Sequence, residues 1–377
     1  MALAAALLTA PAHAEGPPPR SPDVVADGFV GPLSLSVGTA GTVTVTQAFA
    51  GAVTQVDHHG EQTLRYRIRD PSAGAIAGTA QGRDGTYHLE LTMGETGPAA
   101  RVIHLGEDGT RTVLSDDLIA YEQQHNPDAA STYGFTGLDA ECSAAVTAYE
   151  QSLPPGPEGG PVLLNAYHGI VESNAYQLAV DGATAYVADA AANAILAVDL
   201  GTGEISTVAV VPGSAITFTE THKAVAEGMF GGASMPDCVV GASYTPEPVP
   251  TDVEIGADGQ LYVSTLQGAL GEAFPLSTVH RIDPASGEIS VVADRGMQAT
   301  TGLALTPNGG VLVAELFGNE ISVITPGSTE ARTLVEVGAP ADVEFARGRV
   351  YATVGVFGEG GAPGNGTVVT YPYRAGR

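Results

Sequence analysis

The sequence predicts an all-β chain folded as a six-bladed β-propeller of four-stranded antiparallel blades. Three observations predict it. Between Val249 and Asp294, four short β-branched runs are separated by Asp-Gly, a Gly/Pro loop and Asp-Pro-Ala-Ser-Gly. These are turn chemistries, because Gly supplies positive φ and Pro presets its own φ. The same order returns from Thr301 to Val337, and a four-strand unit recurring at roughly 40 residues is the sequence pattern of propeller blades. The composition agrees: 49 Gly and 25 Pro in 377 residues suit a turn-dense β chain, and zero Trp argues against repeats of the Trp-Asp type.

The first blade runs from Leu33 to Tyr66. Its alternation is weak, since strands covered on both faces carry apolar residues on both. The second, Ser72 to Leu114, has good strands at Tyr87 to Met93, Arg101 to Leu105 and Thr110 to Leu114. Its inner strand must come from Ala73 to Ala80, a Gly/Ala-rich stretch of poor β propensity that is assigned only because the array needs it. The third blade starts at Tyr176 and ends at Val211. The fourth and fifth are the pair described above. The sixth, from Ala341 to Tyr373, ends one strand short. Asp23-Val-Val-Ala-Asp-Gly repeats the outer-strand motif Val291-Val-Ala-Asp-Arg-Gly, so the N-terminal strand is expected to complete the last blade and remove open edges.

Two insertions break the period, residues 116–171 and 212–248. Asp117-Leu-Ile-Ala-Tyr-Glu-Gln-Gln-His-Asn-Pro has helical composition and stops before proline; Asp139 to Ser152 suggests a second short helix. These are connections between blades, whereas Gly94 to Ala99, Gly268 to Ser277 and Gly358 to Gly366 join second to third strands. In a four-stranded blade both kinds of segment emerge at the same end, while the tight turns lie at the other. Long ordered loops in compact domains are usually functional. The working parts are therefore expected on one face.

Residues 1–14 form an apolar run ending Ala12-His13-Ala14, the pattern of a cleaved secretory signal peptide, although its basic start is missing. Residues 15–21 read as a short leader, and 22–377 as one propeller domain. Export implies a secreted or extracytoplasmic protein. No stretch approaches the roughly 20 apolar residues of a membrane span. The net charge of −27, with Lys223 the only lysine, repels phosphate backbones and anionic lipid, so nucleic acid is excluded as a partner. A monomer is expected. In an exported chain the two cysteines, Cys142 and Cys238, one in each insertion, are expected to form a disulfide that staples a lid across the face.

Aligning the inner strands on their turns makes Ser34, Gln177, Asp252, Gly302 and Asp342 equivalent, with Glu254 and Glu344 two residues beyond the aspartates. Asp252, Asp342, Glu254 and Glu344 could hold a hard cation, and Ca²⁺ is the one cofactor suggested. The competing reading is a solvated channel whose polar residues satisfy one another. Second-strand ends bring Gln47, Asp189, Thr265 and Glu315 toward the rim, where His168, Glu172, Asn174 and Tyr176 would complete a pocket. His125, His168 and His222 all lie in the insertions, without metal-ligand spacing. No nucleophile elbow, phosphate loop or Cys-x-x-Cys pair is present.

Asp117 to Asp128, Glu172-Ser-Asn-Ala-Tyr-Gln-Leu-Ala, Tyr186 to Asp199, and Val249-Pro-Thr-Asp-Val through Tyr262-Val-Ser-Thr-Leu together resemble the ScyD/ScyE family, named from the scytonemin pigment gene cluster. Ala175 stands where that family usually has proline. The resemblance implies an exported six-bladed propeller akin to NHL-repeat proteins, and implies no reaction. Two functions follow: a binding module whose lidded face holds a small molecule, glycan or protein, or a metal-assisted lyase or lactonase-like hydrolase with a cation at the channel mouth.

Overall fold

The computed structural model describes residues 22–94, 97–155, 160–357 and 365–373. The expected signal peptide and leader lie outside the described residues, as does most of the segment from Gly358 to Gly366. The described chain is an all-β protein of seven four-stranded antiparallel sheets with four short helices.

Six sheets follow the repeat. Their first strands are Ser34–Val37, Gly74–Gln81, Ala175–Asp181, Pro250–Ile255, Thr300–Leu305 and Asp342–Ala346, opening sheets one to six in chain order. In sheets one to five the four strands pair in sequence order. In sheet six the fourth strand is Asp23–Phe29, paired antiparallel with Gly366–Pro372. The N-terminal strand is thus joined to the end of the chain, as its motif predicts. Each first strand neighbours that of the next sheet, and the sixth neighbours the first. Apolar residues fill the interfaces between consecutive sheets; Val253 and Val263 of sheet four, for example, pack with Ile195 and Val211 of sheet three.

The poor inner strand of sheet two does form, because a missing strand would leave the neighbouring ladders unpaired. A first-strand bulge recurs in sheets three, four and five, between Ala175 and Gln177, Pro250 and Asp252, and Thr300 and Gly302. It lies where the connection enters the sheet and re-aims the following side chain.

Several expectations need correction. Gly94 to Ala99 is not a long loop: Gly85–Gly94 and Gly97–Gly106 run as one extended hairpin, in register up to Gly94 opposite Gly97. The insertions are not separate loops either. Helices α1 (Leu118–His125) and α2 (Ala140–Ser152) stand where expected. The second insertion adds α3 (Glu220–Met229), and the Gly268 to Ser277 segment contributes α4 (Gly268–Ala273). Strands from both insertions build the seventh sheet, in the order Tyr167–His168, Thr132–Thr136, Ser243–Thr245, Ile216–Thr217.

This cap has its own core, in which Phe135, Val146, Tyr149, Phe218, Met235 and Val239 pack with Leu270 of α4. Cys142 and Cys238 are bonded across it, 96 residues apart. The cap is one folded unit, in which Tyr167 donates to Glu247 at 2.9 Å, and it meets sheet three where Asn193 Nδ2 donates to Asp128 at 2.9 Å.

Candidate functional site

A cavity of about 260 Å³ opens on the insertion face between sheets one, two and three. Its walls are largely apolar, from Leu33, Phe49, Leu89, Leu91 and Ala100, with Ile119 of α1 above. Ser34, Glu90, Asn174 and Tyr176 supply the polar edges. Phe49 sits in the turn after a second strand, Tyr176 is the unpaired residue of the bulge that starts sheet three, and Asn174 precedes that strand. Phe49 is half exposed, and Leu91 and Met93 of the long hairpin are also exposed, so the lip is apolar as well.

Below the cavity floor lies the inner-strand network. Gln177 Nε2 donates to Ser34 Oγ at 2.8 Å and to Asp342 Oδ2 at 3.1 Å, while its Oε1 accepts from the Thr79 N–H at 3.0 Å. Asp342 accepts from the N–H of Val343 in its own strand and from that of Leu35 in sheet one. Asp252 repeats the arrangement with Val253 and with Leu303 of sheet five, at 2.7 and 2.6 Å. Both aspartates are therefore staples between neighbouring first strands.

Burial pushes the Asp252 carboxyl well above its ordinary value, with Asp342 and Glu254 adding to the rise. Burial likewise lifts Asp342 to about 7 despite its donors. Glu254 rises through burial and through Glu344 and Asp342, and Glu344 through burial and the two aspartates. The four acids thus share one electrostatic neighbourhood, which is what the residue alignment expects. Among the described residues, however, no group of three or more His, Cys, Asp or Glu side chains is arranged to hold a metal ion. The aspartates' oxygens are spent on backbone amides, so a Ca²⁺ ion would have to displace donors that hold the sheets together.

The rim residues turn inward. Gln47, Asp189 and Glu315 each accept the backbone N–H of the segment entering their sheet: Val30 at 2.9 Å, Asn174 at 2.7 Å and Gln298 at 2.7 Å. Asp189 also holds the Ser173 hydroxyl at 2.7 Å, so it positions the strip that edges the cavity rather than facing a ligand. Thr265 bonds Thr278 within its own sheet. The strand register makes Glu90 a further member of this series, which the sequence reading missed. Its carboxylate is held by Arg111 and by the Tyr66 hydroxyl. Only alignment through the bulge reveals it, since the inner strand of sheet two carries no readable motif.

The insertion histidines do not converge. His125 stacks on Tyr121, and exposed His168 lies in the cap sheet against the Ser131 carbonyl. His222 caps α3 through Thr219 and meets Phe274 edge-on. Of the residues expected to form the pocket, Asn174 and Tyr176 line the cavity, Gln177 and Asp342 lie beneath it, Asp189 supports the segment leading to it, and Glu172 lies in that segment beside Glu122. Asp252, although within electrostatic reach of Tyr176, belongs to the other side of the channel. Glu315 and His168 stand apart from the cavity.

The fold and this site define a β-propeller protein with a capped face and an apolar cavity beside its channel. No family model and no curated protein matches the sequence. Solved structures do match in fold. A PQQ-bound aldose sugar dehydrogenase from Streptomyces coelicolor is 14% identical, over 93% of this chain and 97% of its own, at a TM-score of 0.52. A putative glucose dehydrogenase from Thermus thermophilus is 13% identical, over 93% and 99%, also at 0.52. A putative gluconolactonase is 12% identical, over 94% and 93%, at 0.51. Likeness at this identity establishes the architecture alone.

Proposed function

We propose that the chain is an exported, six-bladed binding module of the ScyD/ScyE type that holds a small, largely apolar molecule in the cavity between sheets one, two and three. The observation that carries this reading is the cavity itself: apolar walls with a few polar groups at one edge are the usual chemistry of a small-molecule site. Its volume of about 260 Å³ suits a ligand of one or two rings. Asn174 offers an amide, and Tyr176 a phenol kept protonated by burial and by Asp342 and Asp252, so a hydrogen-bonding group on the ligand would meet them.

The ring of neighbouring first strands supports six blades, with the seventh sheet as a cap. The Cys142–Cys238 bond and the absence, among the described residues, of a helix able to cross a membrane are compatible with an extracytoplasmic site. The lyase or lactonase alternative would draw on the four channel acids. Their mutual crowding favours a bound cation, but their service as inter-sheet staples counts against it.

The test is a thermal-shift screen of small aromatic and aliphatic molecules, followed by calorimetry on any compound that stabilises the chain. Ala77→Phe, which fills the cavity from sheet two, should abolish binding while leaving a cooperative melt. A ligand that binds equally well to this variant would place the site elsewhere.

A further inference from the structure

The segment from Glu122 to Asp128, within the first insertion, is not used by the cavity. It folds as the last turn of α1 and the bend after it, where Asn126 adopts φ 36° and ends the helix. Glu122 faces inward from α1 and is 1% exposed, as is Asp128. Both Glu122 oxygens, Asp128 Oδ1 and Asn126 Oδ1 are buried and without a hydrogen-bond partner. The other Asp128 oxygen is fixed by the Tyr133 hydroxyl at 3.0 Å and by Asn193 Nδ2 at 2.9 Å, and Asn126 Nδ2 is anchored on the Gly169 carbonyl at 3.1 Å. Asp128 and Asn126 are thus fixed in place, and with buried Glu122 they present four vacant oxygens. No ion pair found among the described residues reaches Glu122 or Asp128.

All four vacant atoms are acceptors. One proton on Glu122 would supply a single donor for them, whereas buried carboxylates without compensation are costly. A hard cation satisfies all four, because Ca²⁺ takes six to eight oxygens and accepts a bidentate glutamate with monodentate carboxylate and amide partners. Glu122 and Asp128 lie within electrostatic reach of one another, and Asn126, at the bend that ends α1, lies between them in the chain. Burial, followed by Asp189 and Asp128, raises the Glu122 carboxyl to about 7, and the backbone N–H of Glu172 partly opposes the rise.

We propose that Glu122, Asn126 and Asp128 form a Ca²⁺ site that locks the first insertion against sheet three. It is separate from the channel acids and from the cavity. Two carboxylates and one amide make up its side-chain ligands.

The test uses the full chain stripped of metal by chelation and titrated with Ca²⁺ at pH 8 by calorimetry, with melts in chelator and in Ca²⁺. One ion per chain and a higher melting temperature in Ca²⁺ are expected, since a ligand of the folded state stabilises it. Glu122→Gln should weaken binding at least tenfold and abolish the Ca²⁺-dependent rise. In chelator it should melt no lower than the parent, having lost an uncompensated charge. Asn126→Gly, which keeps the left-handed backbone, should weaken binding several-fold, and Glu254→Gln in the channel should leave it unchanged. Absence of Ca²⁺ uptake by the parent protein overturns the proposal, as does uptake that Glu122→Gln and Asn126→Gly leave intact.

Discussion

Gly302 and Asp342 form a single contact: a Cβ built on Gly302 would lie 2.5 Å from Asp342 Oδ1 and 2.7 Å from its Cα. The sixth first strand is pressed against the fifth at the point where Asp342 begins its staple to sheet one. Gly78 and Gln177 repeat the relationship, with clearances of 2.2 Å to Oε1 and 2.7 Å to Cα. Glycine stands at these positions because backbone, together with a hydrogen-bonded side-chain oxygen, occupies the space.

Gly302→Ala should therefore destabilise the chain by at least about 2 kcal/mol, in the range of overpacked cores. Gly78→Ala should do the same. Denaturant unfolding measures both, and Gly338→Ala, where no heavy atom lies within 4 Å, serves as the comparison. Equal midpoints for Gly302→Ala and Gly338→Ala would show that the strands are not in contact as described.

Stability should rise as pH falls from 8 toward 6. Burial raises Glu122, Glu315 and Asp342 to about 7, so in this interval the folded chain binds protons that the unfolded chain does not. Their contribution is complete below the unfolded values near 4 and is lost as pH rises through 7. His88 and His280 act oppositely. Burial lowers them to about 3 and about 4, so their contribution is present above 6.5 and is lost as pH falls toward those values. With three raised acids against two lowered histidines, the optimum should lie well on the acid side, at about pH 4 to 5. Melts in chelator across pH 4 to 9 would check this, and a maximum at pH 8 would contradict it.

Glu315→Gln isolates one of these groups. Glu315 Oε1 is buried without a partner, while Oε2 holds the Gln298 N–H. The amide should raise stability at pH 8 by roughly 1 to 3 kcal/mol, at about 1.4 kcal/mol for each tenfold difference in proton affinity and discounted for partial burial. The gain should vanish at pH 5, where the parent residue is protonated. A loss at pH 8 would mean that the carboxylate is stabilised by a charge.

Breaking the Cys142–Cys238 bond should loosen the cap before the six repeat sheets. The cap has its own core, and the bond closes a loop of 96 residues. Cys142→Ser with Cys238→Ser should cost about 2–5 kcal/mol. Proteolysis followed by mass spectrometry should find the first cuts within 116–171 and 212–248. First cuts in the repeat sheets would indicate that the cap is not the weaker unit.

Much of the architecture was readable because turn chemistry is local. Asp-Gly and Asp-Pro-Ala-Ser-Gly fix hairpins without reference to distant residues, and Asp23-Val-Val-Ala-Asp-Gly betrays its partner strand by repetition. The cysteine pair was readable from count and placement. The roles of Asp189 and Glu315 were not. Their positions at strand ends were correctly placed, but which way a side chain turns depends on whether an unpaired N–H waits nearby. In both cases one does, at Asn174 and Gln298. Glu90 escaped notice because the bulge before Thr79 shifts its register.

The sequence by itself determined the repeat, the strand order within the six repeat sheets, the contribution of the N-terminal strand and the face that carries the insertions, since each depends on spacing along the chain. The tertiary structure decided that two insertions separated by the whole of sheet three would share one sheet and one core, that Phe49, Leu91, Ile119 and Tyr176 from separate elements would enclose a cavity, and that Glu122 would be buried with its oxygens unpaired. These depend on which surfaces meet once the sheets have packed, and burial and the pairing of polar groups are properties of that meeting, not of any segment alone.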